Sequence, residues 1–242
     1  MSENPWPVVE LRQYMLHPGT RDEMIELFDR ELVETQEDVG IRVLAQFRDE
    51  DAPDRFVWMR AFPDMAARGA SLTAFYVDGE AWRTHAPAAR ATMVDTTNAL
   101  LLRPATPASH FGMPAARPAP GATALPDSRV LATIYYLDTD ADEFTAFFES
   151  QVRPVLAAAG AEPIGYYVTD PAPNTFTMLP VREERVFVWF ALFDSAGSRG
   201  AHRDTLASSL IWTDEVLPEL AERLAAPAEV LRLAPTARSL LR

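Results

Sequence analysis

VVELRQYML (Val8–Leu16), near the start of the chain, and VLATIYYL (residues 130–137), just past its middle, read as one strand written twice, and that repetition decides the fold. Tyr14 stands 121 positions before Tyr135. Behind each strand come apolar residues at helical spacing. Met24, Leu27, Phe28 and Leu32 correspond to Phe144, Phe147, Phe148 and Val152 at a constant offset of 120, which is one helix face turned to a core. Thr20 with Glu23 and Asp140 with Glu143 mark the two helix starts and are expected to cap them.

Further along, strands are expected at 41–49 and Arg55–Phe62, matched by 163–170 and Val186–Phe193. Asp49 and Asp170 keep the offset of 121, but Trp58 and Trp189 stand 131 apart, so the second hairpin carries about ten extra residues. Pro171, Pro173 and Pro180 fall among them and predict a protruding loop rather than longer strands. A split helical region with Trp82 or Trp212 follows, and a last strand ends at Pro104 or Pro235. Each half therefore reads βαββαβ, the ferredoxin-like order, with a four-stranded antiparallel sheet and helices on one face. One such sheet leaves its other face bare, and the second copy supplies the cover. The expected class is α+β: two ferredoxin-like βαββαβ repeats packed sheet to sheet as an intrachain α+β barrel. The expected domains are 1–104 and 129–242. The segment 104–128, with six prolines in 25 residues and only Arg117 and Asp127 charged, reads as a proline-rich linker (105–128).

Composition removes several chemistries. The chain of 242 residues has no cysteine, and all 22 basic residues are arginine, so thiol nucleophiles, cysteine–metal sites, lysine Schiff bases and a Walker A lysine are excluded. A net charge of −13 opposes nucleic acid and anionic membrane as partners, because binding to both draws on clustered cations. Residues 1–7 show no signal pattern and no run is long enough to span a bilayer, so a cytoplasmic protein is expected. The absence of lysine beside abundant Ala, Arg and Pro suggests a GC-rich bacterial genome. There is no GxGxxG, P-loop, GxSxG, HExxH or DxDxDG motif. Neither a cofactor nor a metal is therefore expected, and no histidine is singled out as a haem ligand.

Comparison of the copies points to a site. Arg12 and Tyr14 on the first strand and Trp58 and Arg60 on the third have the parity to share one face, with Gln46 within reach from the second. In the second copy Arg12 becomes Thr133 and Arg60 becomes Ala191, while both aromatics are kept. Two readings fit the arginines. Either they hold an anionic or enolate oxygen in a pocket between sheet and helices, walled by Trp58, or they pair with local acids such as Glu10 or Asp64. Parity does not say which sheet face meets the helices. His85, three residues after Trp82, has the chemistry of an acid or base, or is a half-buried polar residue; His17, before Pro18-Gly19, sits at a pocket mouth or stabilises a turn. His110 and His202 read as surface residues. The candidate catalytic set is thus Arg12, Tyr14 and His85, with Gln46, Trp58, Arg60 and His17 binding substrate.

The residues Glu10-Leu11-Arg12-Gln13-Tyr14 with His17-Pro18-Gly19, Asp54-Arg55-Phe56-Val57-Trp58, Phe62-Pro63-Asp64-Met65, Ala74-Phe75-Tyr76 and Asn98-Ala99-Leu100-Leu101-Leu102-Arg103-Pro104 resemble NIPSNAP proteins of the dimeric α+β barrel group. The second half shares only the pattern of elements; Arg12, Gln13, His17 and His85 have no counterparts there. The resemblance implies the fold. For function it implies a group containing cofactor-free oxygenases, isomerases, dehydratases, haem proteins and members with no known activity. The expectation is a small-molecule enzyme with cofactor-independent proton-transfer or oxygenase-like chemistry on an acidic conjugated molecule, its cavity in the N-terminal half only. The alternative is a non-catalytic NIPSNAP-type binding or scaffold protein that docks a partner on the loop 171–184 through exposed Phe176, Met178 and Leu179. A homodimer is the expected assembly, although the repeat also makes a monomer viable.

Overall fold

The computed structural model describes residues 4–112 and 116–242, so the first three residues of the N-terminal stretch and 113–115 of the proline-rich segment lie outside the described residues. The first half forms β1 (Val8–Leu16), α1 (Arg21–Leu27), α2 (Val33–Glu37), β2 (Arg42–Asp49), β3 (Arg55–Phe62), α3 (Met65–Thr73), α4 (Glu80–Thr92) and β4 (Met93–Pro104). The second half repeats the order with β5 (Arg129–Leu137), α5 (Ala141–Phe147), α6 (Arg153–Ala158), β6 (Gly165–Thr169), β7 (Val186–Phe193), α7 (Ala196–Ala207), α8 (Leu217–Ala221) and β8 (Leu224–Pro235). The eight strands close into one antiparallel barrel in the order β1-β3-β2-β8-β5-β7-β6-β4.

Two seams close it. Phe47 on β2 pairs with Pro235 on β8, and Leu102 on β4 pairs with Thr169 on β6, so each sheet's open edges are taken up by the other's and no strand edge remains. Val9, Leu11, Val57 and Met59 from one half and Val130, Ala132, Val188 and Phe190 from the other fill the lumen. Those side chains fill the lumen of this eight-stranded barrel, so its interior is core. The alternate residues on the same strands face outward, under the helices, in two separate apolar clusters, one per half.

In both halves the helical layer is interrupted by π-helical turns at equivalent places. Phe28–Leu32 and Phe148–Val152 interrupt the first helix, while Ala74–Asp78 and Ile211–Val216 interrupt the second helical region. A π turn adds a residue and rotates the face that follows, and such turns are frequent where a binding site is built. One expected cap differs. Asp140 accepts from the backbone N–H of Asp142 and Glu143, but the Thr20 hydroxyl donates instead to the carbonyls of His17 (2.9 Å) and Thr92 (3.3 Å). The chain enters the first helix through the Pro18-Gly19 turn, which brings those acceptors closer than the helix N–H groups. The segment between β4 and β5 has no helix or strand among its described residues, yet it is held in place. Half-buried Arg117 donates to the carbonyl of Arg238 (2.7 Å), to Glu37 (3.0 Å) and to the Val43 carbonyl, tying this segment to β2 and to the C-terminal segment. Among the described residues no helix is long and apolar enough to cross a membrane.

Candidate functional site

Glu10, Arg12 and Tyr14 on β1 and Trp58 and Arg60 on β3 face the helices, not the lumen, and Glu10 sits directly across from Arg60 in the ladder. Arg68, on the first turn of α3, comes down onto the same spot. α3 is set by Asp64, whose carboxylate caps it through the Ala67 N–H (2.7 Å) and so does not reach the arginines. Glu10, Arg12, Arg60 and Arg68 are all fully buried. Every ion pair of the three arginines ends on Glu10, at 3.0, 2.7 and 2.7 Å. Burial by itself pushes the Glu10 carboxyl up, and Arg60, Arg12 and Arg68 together more than reverse this, holding it well below the usual carboxylate range.

Three guanidiniums on one carboxylate leave two positive charges with no acid of their own. A buried charge in that condition costs several kcal/mol, of order, unless something else meets it. Part of the compensation is aromatic. Arg60 lies 5.1 Å from the Trp58 ring centroid and 5.6 Å from those of Phe62 and Tyr76, and Arg12 lies 5.5 Å from that of Tyr14. The rest is neutral acceptors: the Thr96 carbonyl for Arg12 (3.2 Å), Gln36 for Arg60 (3.5 Å), Asn174 and Thr175 for Arg68, and two phenol oxygens. Arg12 Nε donates to the Tyr14 hydroxyl (3.3 Å) and Arg60 Nη1 to the Tyr76 hydroxyl (3.1 Å).

On the far side of those phenols is a pocket of about 260 Å³. Tyr14, Trp58, Tyr76 and Trp82 form its aromatic wall, and Phe28 and Leu32 from one π turn and Phe75 from another complete it. Arg90, exposed at the end of α4 and 5.5 Å from the Trp82 ring, stands at the mouth and carries no ion pair among the described residues. The Trp58 Nε1–H is buried without a hydrogen-bond partner. Burial pushes the Tyr76 hydroxyl up, against the opposing pull of Arg60, so it stays protonated at neutral pH.

Residues 9–108 match the NIPSNAP family model. The whole chain also has a fold similar to three solved proteins. They are a putative monooxygenase from Fusobacterium nucleatum (10% identity, TM-score 0.59, covering 96% of this chain and 93% of that one), one from Lactobacillus acidophilus (11%, 0.56, 95% and 94%) and an anthrone oxidase-like protein (13%, 0.60, 98% and 94%). At these identities the likeness shows the fold, a dimeric α+β barrel architecture made here within one chain. No curated protein matches the sequence.

Within the NIPSNAP half the sequence-derived candidates separate into two groups. Tyr14 and Trp58 line the pocket, whereas Arg12 and Arg60 stand behind them and bind Glu10, so an arginine grip directly on a ligand is not what the geometry shows. Gln46 shares the helix-facing side but is turned away, donating to Asp29 (3.0 Å) and accepting from Arg117 (3.3 Å). His85 also stays out of the pocket. Its Nε2 is 3.4 Å from Glu31 on the neighbouring π turn, while Trp82 faces inward; a three-residue step leaves the two side chains about 60° apart around the helix. His17 is exposed and its backbone closes the turn into α1. Tyr76, Arg68 and Glu10 are the members the sequence comparison passed over as site residues. The signal for Tyr76 was available, since no tyrosine stands in the second copy's equivalent π turn; Arg68 gave none, because Arg199 follows the α7 cap Ser195 at the same step as Arg68 follows Asp64.

The proline-rich loop 171–184 does not protrude as expected. It folds back over the NIPSNAP half and supplies Phe176, Met178 and Leu179 to the pocket wall. Arg68 Nη1 donates to Asn174 (2.9 Å) and Thr175 (3.2 Å), the Thr175 hydroxyl donates to the Met65 carbonyl (3.0 Å), and Arg182 N–H donates to Ala99 O (2.8 Å). Phe176 is 7% exposed and Leu179 half-buried, leaving Met178 as the exposed apolar tip, so the loop offers no three-residue apolar docking surface. The Arg68 anchor is therefore shared between the cation cluster and the lid. Replacing 173–180 by a short Gly–Ser link is expected to leave the barrel folded and to make Trp82 markedly more accessible to acrylamide quenching; unchanged quenching would show that the loop does not cover the pocket.

Proposed function

We propose that the NIPSNAP half is a small-molecule site that binds an acidic, conjugated molecule as its anion and carries out cofactor-independent proton-transfer or oxygenase-like chemistry on it. The observation that carries this reading is the buried excess of two positive charges directly behind a pocket wall of phenols and indoles. Each phenol accepts a hydrogen bond from an arginine, which leaves its own proton to be donated elsewhere. A ligand oxygen bearing negative charge would take the Tyr14 and Tyr76 O–H donors, with the unpaired Trp58 N–H beside them. Donors fixed in advance and backed by positive charge stabilise an oxyanion that develops or persists during reaction.

Size and shape support a small planar molecule. An apolar cavity of about 150 Å³ takes benzene, so about 260 Å³ suits one or two fused rings. Among the described residues neither a carboxylate nor a histidine lines the pocket, which places the burden of ionisation on the substrate's own acidity. The bound enolate or phenolate then takes a proton back at carbon, or is the electron-rich species that meets dioxygen. Native against denaturing mass spectrometry of the purified chain tests the reading. An organic acid of one or two rings held in the native spectrum and lost on denaturation is expected; retention of only cationic or uncharged molecules would sink it.

A further inference from the structure

A cavity was expected in the N-terminal half only, yet the C-terminal half contains a pocket of about 600 Å³, larger than the first. It lies at the equivalent place, between the outer face of β5 and β7 and the helices, with Tyr135 and Trp189 standing where the first pocket has Tyr14 and Trp58. Thr133 takes the place of Arg12 and Ala191 that of Arg60, so the buried cation cluster is absent. The arginines at this pocket's rim each have an acid: Arg199 with Glu50 (2.6 Å), Arg203 with Asp204 (2.8 Å) and Arg232 with Asp51. Its charge is therefore balanced one for one, where the first pocket stands at three to one.

One buried donor at the pocket wall is left without a protein partner, and a buried histidine stands near it. Trp189 is 3% exposed, and its Nε1–H lies beside the Tyr135 hydroxyl yet makes no formed hydrogen bond. His202, read from the sequence as a surface residue because Ala201 and Arg203 flank it, is 5% exposed and points into this space, since neighbours on a helix diverge by about 100°. Its Nδ1 is 3.0 Å from the Ala159 carbonyl, which can only accept, so Nδ1 carries the proton and Nε2 is an acceptor in the neutral ring. Burial pushes the His202 pKa down and keeps the ring neutral.

We propose that the C-terminal half holds a second small-molecule site, for an uncharged, largely aromatic molecule that carries a hydrogen-bond acceptor for Trp189 Nε1–H. This site differs from the NIPSNAP pocket in both size and charge. A filling variant is available at Gly200, on the pocket wall, where an added Cβ meets nothing within 4 Å. Phenylalanine there is expected to reach into the pocket, its first side-chain carbon meeting no packed atom, and replacing a helical glycine favours α7.

The test is a fluorescence titration of the full chain with Nile red, an uncharged aromatic carbonyl compound, with melting curves run in parallel. Wild type is expected to take up one equivalent. Gly200→Phe is expected to weaken uptake by at least about tenfold at an unchanged or raised melting temperature. Trp189→Phe keeps the ring but removes the donor, and is expected to weaken uptake by about fivefold, the weight of one ordinary hydrogen bond. Absence of saturable uptake by wild type, or uptake that both variants leave at the wild-type level, overturns the proposal.

Discussion

Glu10→Gln is expected to lower the melting temperature by roughly 10–15 °C, because it removes the one carboxylate among three fully buried guanidiniums. The substitution is nearly isosteric, so the loss is electrostatic: stripping one member from a buried ion pair costs about 3–5 kcal/mol, and here three partners are stripped at once. The pH dependence gives the effect its signature. A carboxyl whose folded pKa is depressed contributes stability that is fully present above its unfolded value, about 4.3, and is lost as the pH falls through the folded one. The gap between wild type and Glu10→Gln should therefore stay constant from neutral pH down to about pH 5 and narrow only in stronger acid, as the wild-type carboxyl takes up its proton. A melting temperature within about 2 °C of wild type would show that the arginines are neutralised without Glu10.

The largest effect on binding is expected from Tyr14→Phe combined with Tyr76→Phe. Both rings stay, so the aromatic wall and the pocket volume are retained, and only the two hydroxyls between the arginines and the ligand are lost. Hydrogen bonds to a charged group are worth about 1.5–3 kcal/mol each, so affinity for a conjugated acid should fall by at least about 100-fold. An uncharged analogue of the same shape should be little affected. That split separates a donor role from a packing role: a variant that merely loosened the pocket would weaken acid and neutral analogue alike. Single substitutions should each give part of the loss and need not add, since the two phenols share one cation cluster.

Much of the architecture was legible because each half repeats the same periodicities. Offsets of 120 and 121 over the first strand and helix locate the copies, and the parity of Arg12, Tyr14, Trp58 and Arg60 correctly puts them on one face. What parity leaves open is which layer that face meets, since a strand pattern is the same from either side; barrel closure decides it by assigning the residues between them to the lumen. The role of the arginines was open for a related reason. Glu10 is two residues from Arg12, but its partnership with Arg60 and Arg68 depends on register and on how α3 comes down over β1, neither of which is local. The helical residues were least legible. His85 and Trp82 are three apart and part company, His202 is buried between two exposed neighbours, and Phe176 is drawn in by a loop whose prolines suggested projection into solvent. The π turns explain part of this, because each added residue resets the face that a 3.6-residue period predicts.

The NIPSNAP-half pocket is expected to select for negative charge. Calorimetric titration of the wild-type chain with a panel of one- and two-ring conjugated acids, each beside its own amide (2-naphthoate against 2-naphthamide, for example), tests it most directly. One site per chain is expected at which an acid binds at least about 30-fold more tightly than its amide, the weight of about 2 kcal/mol. Amides that bind as well as or better than their acids throughout the panel, at a site that Tyr14→Phe with Tyr76→Phe alters, would contradict it.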